Sequence, residues 1–247
     1  MSSTQGVNWE STKSIQDQLN DIIENQGDPN VRNSMGQTPL HFAMTRFRKR
    51  DVQFDFAVNA DVVRKLTAMG ADPNASDDRG STPLHEAMES NPMMIRTLLD
   101  VGANPNAKTL EGETPLHKLA DVFSHQPAAP EMVRILLTAG ADPNAQDSCG
   151  VTPLQIVGVL TYSYDASRAI IDQLLAAGAD PSIKDDEGRS PLDFPFIQEA
   201  YHKKLASDRA RELEARGAPS PVSSLGALLD LKPSPTAPSP GIKRKRS

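Results

Sequence analysis

A chain of 247 residues that is 38% hydrophobic and only 4% aromatic must fill any core mainly with Leu, Ile, Val, Ala and Met. Its net charge of -6 argues against direct nucleic-acid binding, which requires a basic stripe, and no apolar run approaches the length of a membrane span. The single cysteine, Cys149, excludes an intramolecular disulfide and fits a reducing compartment, so a soluble intracellular protein is expected.

The polar start "MSSTQGVNWE" lacks the apolar core of a signal peptide, and residues 1–10 are expected to be disordered. Residues 11–26 then read "STKSIQDQLNDIIENQ", which places Ile15, Leu19, Ile22 and Ile23 on one helical face. That spacing predicts an N-terminal capping helix.

From residue 27 to 195 one line is written repeatedly: "GADPNASDDRGSTPLH" at Gly70, "GANPNAKTLEGETPLH" at Gly102, "GADPNAQDSCGVTPLQ" at Gly140 and "GADPSIKDDEGRSPLD" at Gly178. Before each Gly stands a helical pattern, with apolar pairs at Val62/Val63, Met94/Ile95, Met132/Val133 and Ile170/Ile171. A second pair follows at Leu98/Leu99, Leu136/Leu137 and Leu174/Leu175, with Leu66/Thr67 in the first copy. This spacing makes one apolar face, and the Gly is a helix stop. Ten residues on, a second Gly (Gly36, Gly80, Gly112, Gly150, Gly188) marks a tight turn. Thr-Pro-Leu then restarts a helix, with Thr82, Thr114 or Thr152 as the cap and a proline at the first helical position, where its missing N–H does no harm.

Each unit is therefore a helix, a loop, a second helix and an extended turn. This resembles the ankyrin repeat, whose signature includes Thr-Pro-Leu-His and Gly-Ala-Asp-x-Asn. The resemblance implies an all-α solenoid of about five stacked helix-turn-helix units with projecting β-turn or hairpin fingers, and a role in binding other proteins.

The spacing varies in one place only. From the helix-stop position to the Thr or Ser is 12 residues in every copy (Gln26 to Thr38, Gly70 to Thr82, Gly102 to Thr114, Gly140 to Thr152, Gly178 to Ser190). All insertions fall between the two helices of a unit: "RFRKRDVQFDFAVNA", "DVFSHQPAAP" and "LTYSYDAS". The turn sets the stacking register, whereas longer loops at the other end cost little. The first insertion carries Arg46 to Arg50 with Phe47, Phe54 and Phe56, a basic and aromatic patch that suits nucleic acid, an acidic protein or, in preference to both, packing of a lengthened helix pair.

Pro195 is expected to interrupt the last copy, and residues 196–217 read as a charged C-terminal capping helix. Residues 218–247, with six prolines, are expected to be disordered. Two islands interrupt this tail. Lys243, Arg244, Lys245 and Arg246 fit a nuclear-import signal, the alternative being a solubilising end. "LGALLDL", Leu225 to Leu231, has a spacing that could lay leucines into a partner's groove or arise by chance.

No catalytic set, cofactor or metal site is expected, and the chain is not expected to be an enzyme. His41, His85 and His117 occupy equivalent positions and so lie about one helix-packing distance, roughly 8–10 Å, apart. They are too distant to share an ion held at about 2 Å. By resemblance they hydrogen-bond neighbouring backbone, a role that Gln155 and Asp193 take over in later copies. Cys149 has no predictable base beside it.

The letters that vary sit at the turn tips and on the first helices, which the resemblance lines up as a concave face. Asp77, Asp78, Arg79, Ser81, Glu86, Leu110, Glu111, Glu113, Lys118, Asp147, Ser148 and Val151 are the candidate partner-binding residues. Acids outnumber bases at the tips, which predicts a partner protein with a basic segment. The chain is expected to be monomeric when alone. The reading is a binding module, with a nuclear regulator or inhibitor of a transcription or signalling factor as one form. An effector or adaptor used by a microbe inside a host cell, or a regulatory subunit of an enzyme complex, are the alternatives.

Overall fold

The computed structural model describes residues 15–45, 56–89, 91–123, 127–159 and 164–216. The termini at 1–10 and 218–247, the run Arg46–Arg50, the Leu225–Leu231 island and the Lys243–Arg246 end lie outside the described residues.

Ten α-helices follow in order among those residues: α1 (Ile15–Glu24), α2 (Pro39–Thr45), α3 (Phe56–Ala68), α4 (Pro83–Ala87), α5 (Pro92–Asp100), α6 (Pro115–Phe123), α7 (Ala129–Thr138), α8 (Pro153–Val159), α9 (Tyr164–Ala176) and α10 (Pro195–Ala215). They stack in two rows. One row runs α2, α4, α6, α8, and the other runs α1, α3, α5, α7, α9, each helix packing on the next in its row. Helices of five to nine residues in the first row could not persist alone, so tertiary burial makes them. Leu40, Met44, Leu84, Met88, Leu116, Leu119, Leu154 and Val157 supply it from the first row, fully buried against Leu66, Met94, Ile95, Leu98, Met132, Leu136 and Leu174 of the second. The apolar pairs read from the sequence thus face inward; Leu99 and Leu137, the outer members of their pairs, are only partly buried.

The helix ends follow from the Gly-Ala pair. Gly70, Gly102, Gly140 and Gly178 take φ of 97°, 96°, 88° and 93°. The following alanine then donates its N–H back to the carbonyl five residues earlier: Ala71 to Leu66 at 2.9 Å, Ala103 to Leu98 at 2.9 Å, Ala141 to Leu136 at 3.0 Å and Ala179 to Leu174 at 2.9 Å. In the first copy Gln26 accepts the left-handed conformation (φ 50°), and Gly27 donates to Ile22 at 2.9 Å.

The turn glycines answer a different demand. Gly80 and Gly112 also have positive φ (76° and 77°), but a Cβ there would come within 2.7 Å of the next turn's backbone nitrogen, that of Leu110 or Ser148. These same nitrogens donate to the preceding turn: Leu110 to the Arg79 carbonyl at 2.9 Å and Ser148 to the Glu111 carbonyl at 2.8 Å. Gly188, in the last turn, has the same φ of 78° and nothing near its Cβ position. Each turn is closed by two main-chain bonds, as where Asp77 N–H donates to the Ser81 carbonyl at 2.8 Å and Gly80 N–H to the Asp77 carbonyl at 2.9 Å, and no strand forms among the described residues.

Pro195 starts a helix rather than ending one. Phe194, ahead of it, is extended (φ -98°, ψ 118°), as a residue before proline must be, so only a short 3-10 turn (Pro191–Asp193) fits between the two prolines. That turn stands where the other copies have a first helix. Pro195 then occupies the first position of α10, whose Ile197 and Ala200 are buried.

The chain divides into two compact units, Met1–Tyr201 and His202–Ser247. The helix rows and turns belong to the first. In the second, the later turns of α10 are laced by exposed pairs, Lys204 to Asp208 and Arg216 to Glu212, each at 2.6 Å.

Candidate functional site: the turn tips and the face of the first helices

Each turn is built by one side chain at its first position. Asp77 Oδ1 accepts the N–H groups of Arg79 at 2.9 Å and Ser81 at 2.8 Å. Asp147 and Asp185 do the same for the turns that follow, as does Asn33 in the first copy. Thr109 takes this place in the third copy, accepting from Glu113 N–H at 3.2 Å. The Asp77 carboxylate is therefore 1% exposed and holds the turn rather than facing a partner. Asp147 is half-buried for the same reason, and Ser81 is buried. The acidic surface expected from the sequence is correspondingly smaller. The sign of this was already in the sequence: Asn, Asp or Thr stands three residues before every turn Gly, a recurrence that a free surface would not show.

The histidines join one repeat to the next. Nδ1 of His41, His85 and His117 accepts the backbone N–H of Thr38, Thr82 and Thr114, at 3.1, 3.1 and 3.2 Å. An acceptor at Nδ1 places the proton on Nε2, which then donates to a carbonyl of the following turn: Ser81 at 2.9 Å, Glu113 at 3.1 Å and Val151 at 3.0 Å. Gln155 reproduces both halves, accepting from Thr152 N–H at 2.9 Å and donating to the Arg189 carbonyl at 2.8 Å. Asp193 keeps only the acceptor half, from Ser190 N–H, at the place where no further repeat follows. Asparagines make a second set of bridges on the helix-stop side. Asn74 donates to the Gly102 carbonyl at 2.9 Å and accepts from Asn104 N–H at 2.7 Å, a pattern repeated by Asn30, Asn106 and Asn144.

Above this framework the free surface begins. Arg79, Ser81, Glu86, Leu110, Glu111, Glu113 and Lys118, seven of the twelve candidate residues, line one cleft of about 240 Å³ together with His85 and Thr109. Leu110 stands 78% exposed at its rim. Arg79 lies 4.0 Å from Glu86, which also accepts from the Ser81 hydroxyl at 3.0 Å. Glu111, Glu113 and Lys118 carry no side-chain hydrogen bond or close ion pair among the described residues. Partial burial, with Glu111, Asp121 and Asp147 nearby, raises the pKa of Glu113 above the usual carboxylate value, and Lys118 offsets only part of this. Asp78 and Ser148 are exposed at their tips, while Val151 belongs to a second cleft of about 320 Å³ with Gln155, Ile156, Val159 and Phe194. Cys149 is exposed, its carbonyl receiving the Asp186 N–H at 3.0 Å. Among the described residues no group of three or more His, Cys, Asp or Glu side chains is placed to hold a metal ion, and no helix is long and apolar enough to cross a membrane.

A ladder of paired helices, joined by identical side-chain bridges and edged with projecting turns, defines a helical repeat protein. Residues 54–147 match the family model described as ankyrin repeats, in three copies. That stretch of the chain is built of ankyrin repeats, which are generally protein-interaction modules. No curated protein matches it.

The bridging role makes the histidines pH-sensitive. Burial lowers the pKa of all three, that of His85 to about 4. In the unfolded chain they take up protons near pH 6.5, so their stabilising contribution is complete above that value and is lost as pH falls below it, for His85 down to about 4. The slope approaches about 1.4 kcal/mol per pH unit for each histidine. His85→Gln, copying Gln155, should hold stability near pH 7.5 to within about 1 kcal/mol and flatten the fall below pH 6.5, read from urea midpoints across pH. An unchanged slope would mean that His85 is not a neutral bridge.

Proposed function

We propose that this ankyrin-repeat chain binds a partner protein on the face formed by α2, α4, α6, α8 and the turn tips. The observation that carries the reading is the cleft between the second and third turns. There Glu111, Glu113 and Lys118 are unpaired beside the exposed Leu110, while their backbone is fixed by bonds to both neighbouring turns. A rigid surface with unsatisfied charge and an exposed apolar side chain suits recognition, because little ordering entropy is lost when it is covered. Asp78, Glu111 and Glu113 favour a partner with a basic segment, and Asp77 and Asp147 contribute through the shape of the turns.

The opposite row offers a control. On α5 and α7, Arg96 and Arg134 are already paired to Glu131, at 2.6 and 2.7 Å. Reversing Asp78, Glu111 and Glu113 together to lysine should reduce affinity-captured partner at least tenfold and weaken its salt dependence. Reversing Arg96 and Arg134 should leave capture intact. The opposite ranking of the two variants would refute binding on this face.

A nuclear regulatory role is the finer reading, and it rests on Lys243–Arg246. Removing these four residues should shift the protein out of nuclei in cells, and an undisturbed distribution would remove that part of the proposal.

A further inference from the structure

Along the binding face the chemistry changes from one end to the other. The cleft between the second and third turns is edged by carboxylates, with Glu86, Glu111 and Glu113 against Arg79 and Lys118. Of the two cations, Arg79 lies within 3.7 Å of Asp77 and 4.0 Å of Glu86, so it is already engaged. Lys118 is the sole uncommitted cation in this cleft, facing two uncommitted carboxylates.

Two repeats further on, the second cleft is apolar where the first is charged. Val159 at the end of α8 is 62% exposed, and Ile156, Val151 and Phe194 line the space beside it. Its floor is fixed by an unusually close packing: a Cβ on Gly158 would lie 2.7 Å from Ile197 Cδ1 and 2.8 Å from the Phe194 ring. Of the charged groups that edge this cleft, Asp185 and Arg189 are bonded to each other at 3.0 Å, and Asp121 lines it from α6. The space of about 320 Å³ holds one large aliphatic or aromatic side chain.

Resting on the binding face proposed above, we infer that its partner is an extended segment carrying a lysine or arginine and, about six residues away, a bulky apolar side chain. The cation sits between Glu111 and Glu113, and the apolar side chain fills the cleft of Ile156, Val159 and Phe194. The spacing follows from the stack. The two clefts are two repeats apart, about 20 Å at one helix-packing distance per repeat, and an extended chain advances about 3.3 Å per residue. A helical segment would need about 13 residues for the same span, and its diameter of about 10–12 Å is large for clefts of this volume.

A random twelve-residue peptide library panned on the immobilised full chain tests this, followed by anisotropy titration of synthetic winners against the chain and its variants. Enriched peptides should share Lys or Arg and Leu, Ile, Phe or Met at a separation of five to seven residues. Replacing the peptide's cation by alanine should weaken binding to the unaltered chain about tenfold, yet have little effect in Glu111→Ala/Glu113→Ala. Replacing the apolar residue should show the same coupling to Val159→Asp and not to the glutamates. Both substitutions lie on exposed or half-exposed positions, and circular dichroism verifies that the variants remain folded. No enrichment overturns the inference, as do winners without the pair. Winners without the pair that still weaken in both variants leave the binding face standing and sink only the partner's chemistry. Winners indifferent to both variants count against the face as well.

Discussion

In this chain the groups that finish one repeat belong to the next. A histidine or glutamine at the third position of each first helix accepts a bond from its own repeat and donates one to the following turn. On the other side of the ladder an asparagine both donates to and accepts from the following repeat. A buried carbonyl left without a donor costs about 1–3 kcal/mol, so these bridges fix how far and at what angle successive repeats sit. The core tolerates Met, Val, Leu or Ile at equivalent positions because volume is conserved, whereas the bridges admit only side chains that accept and donate at once.

The same rule explains where the ladder ends. Ser182 stands where the other copies have the bridging Asn, and its hydroxyl turns back to Asp180 at 2.6 Å. Asp193 stands where they have His or Gln, and a carboxylate cannot donate onward. Gly188 has open space where Gly80 and Gly112 have a neighbour's backbone. Three independent positions in the last copy have each lost the half of the contact that would reach a further repeat, and α10 covers the end instead. Function inherits this order. Because each tip is held by its own turn-forming side chain and by the adjacent tip, the proposed binding face has few residues left over for recognition: Asp78, Leu110, Glu111, Glu113, Lys118 and the apolar set near Val159.

Most of the architecture is legible in the residues. The constant 12-residue interval from helix stop to cap, the Gly-Ala pair and the Thr-Pro start each state a local geometry, and the structure has that geometry. Two readings needed the third dimension. Asp77 and Asp147 look like surface charge when counted as composition, but their carboxylates are consumed by main-chain N–H groups two and four residues on. Pro195 looks like a helix breaker, yet its fixed φ suits the first helical position, where its missing N–H is not needed, so it opens α10. The contrast along the proposed binding face between a charged cleft and a mainly apolar one was also hidden, since Ile156 and Val159 fit the helical pattern of core residues and their exposure depends on what packs across from them. By the helix bounds, the insertions fall in the sequence between α2 and α3, α6 and α7, and α8 and α9.

The claim on which this account stands is that the following repeat, and not the local backbone alone, dictates the residues of each turn. Gly80 and Gly188 isolate it, because their φ values are 76° and 78° and they differ in having or lacking a neighbour at the Cβ position. Urea unfolding of Gly80→Ala and Gly188→Ala measures the difference directly. The account predicts a loss of about 1–2 kcal/mol for Gly188→Ala, from backbone strain alone, and a clearly larger loss for Gly80→Ala, whose methyl meets the Leu110 nitrogen. Equal losses would contradict it.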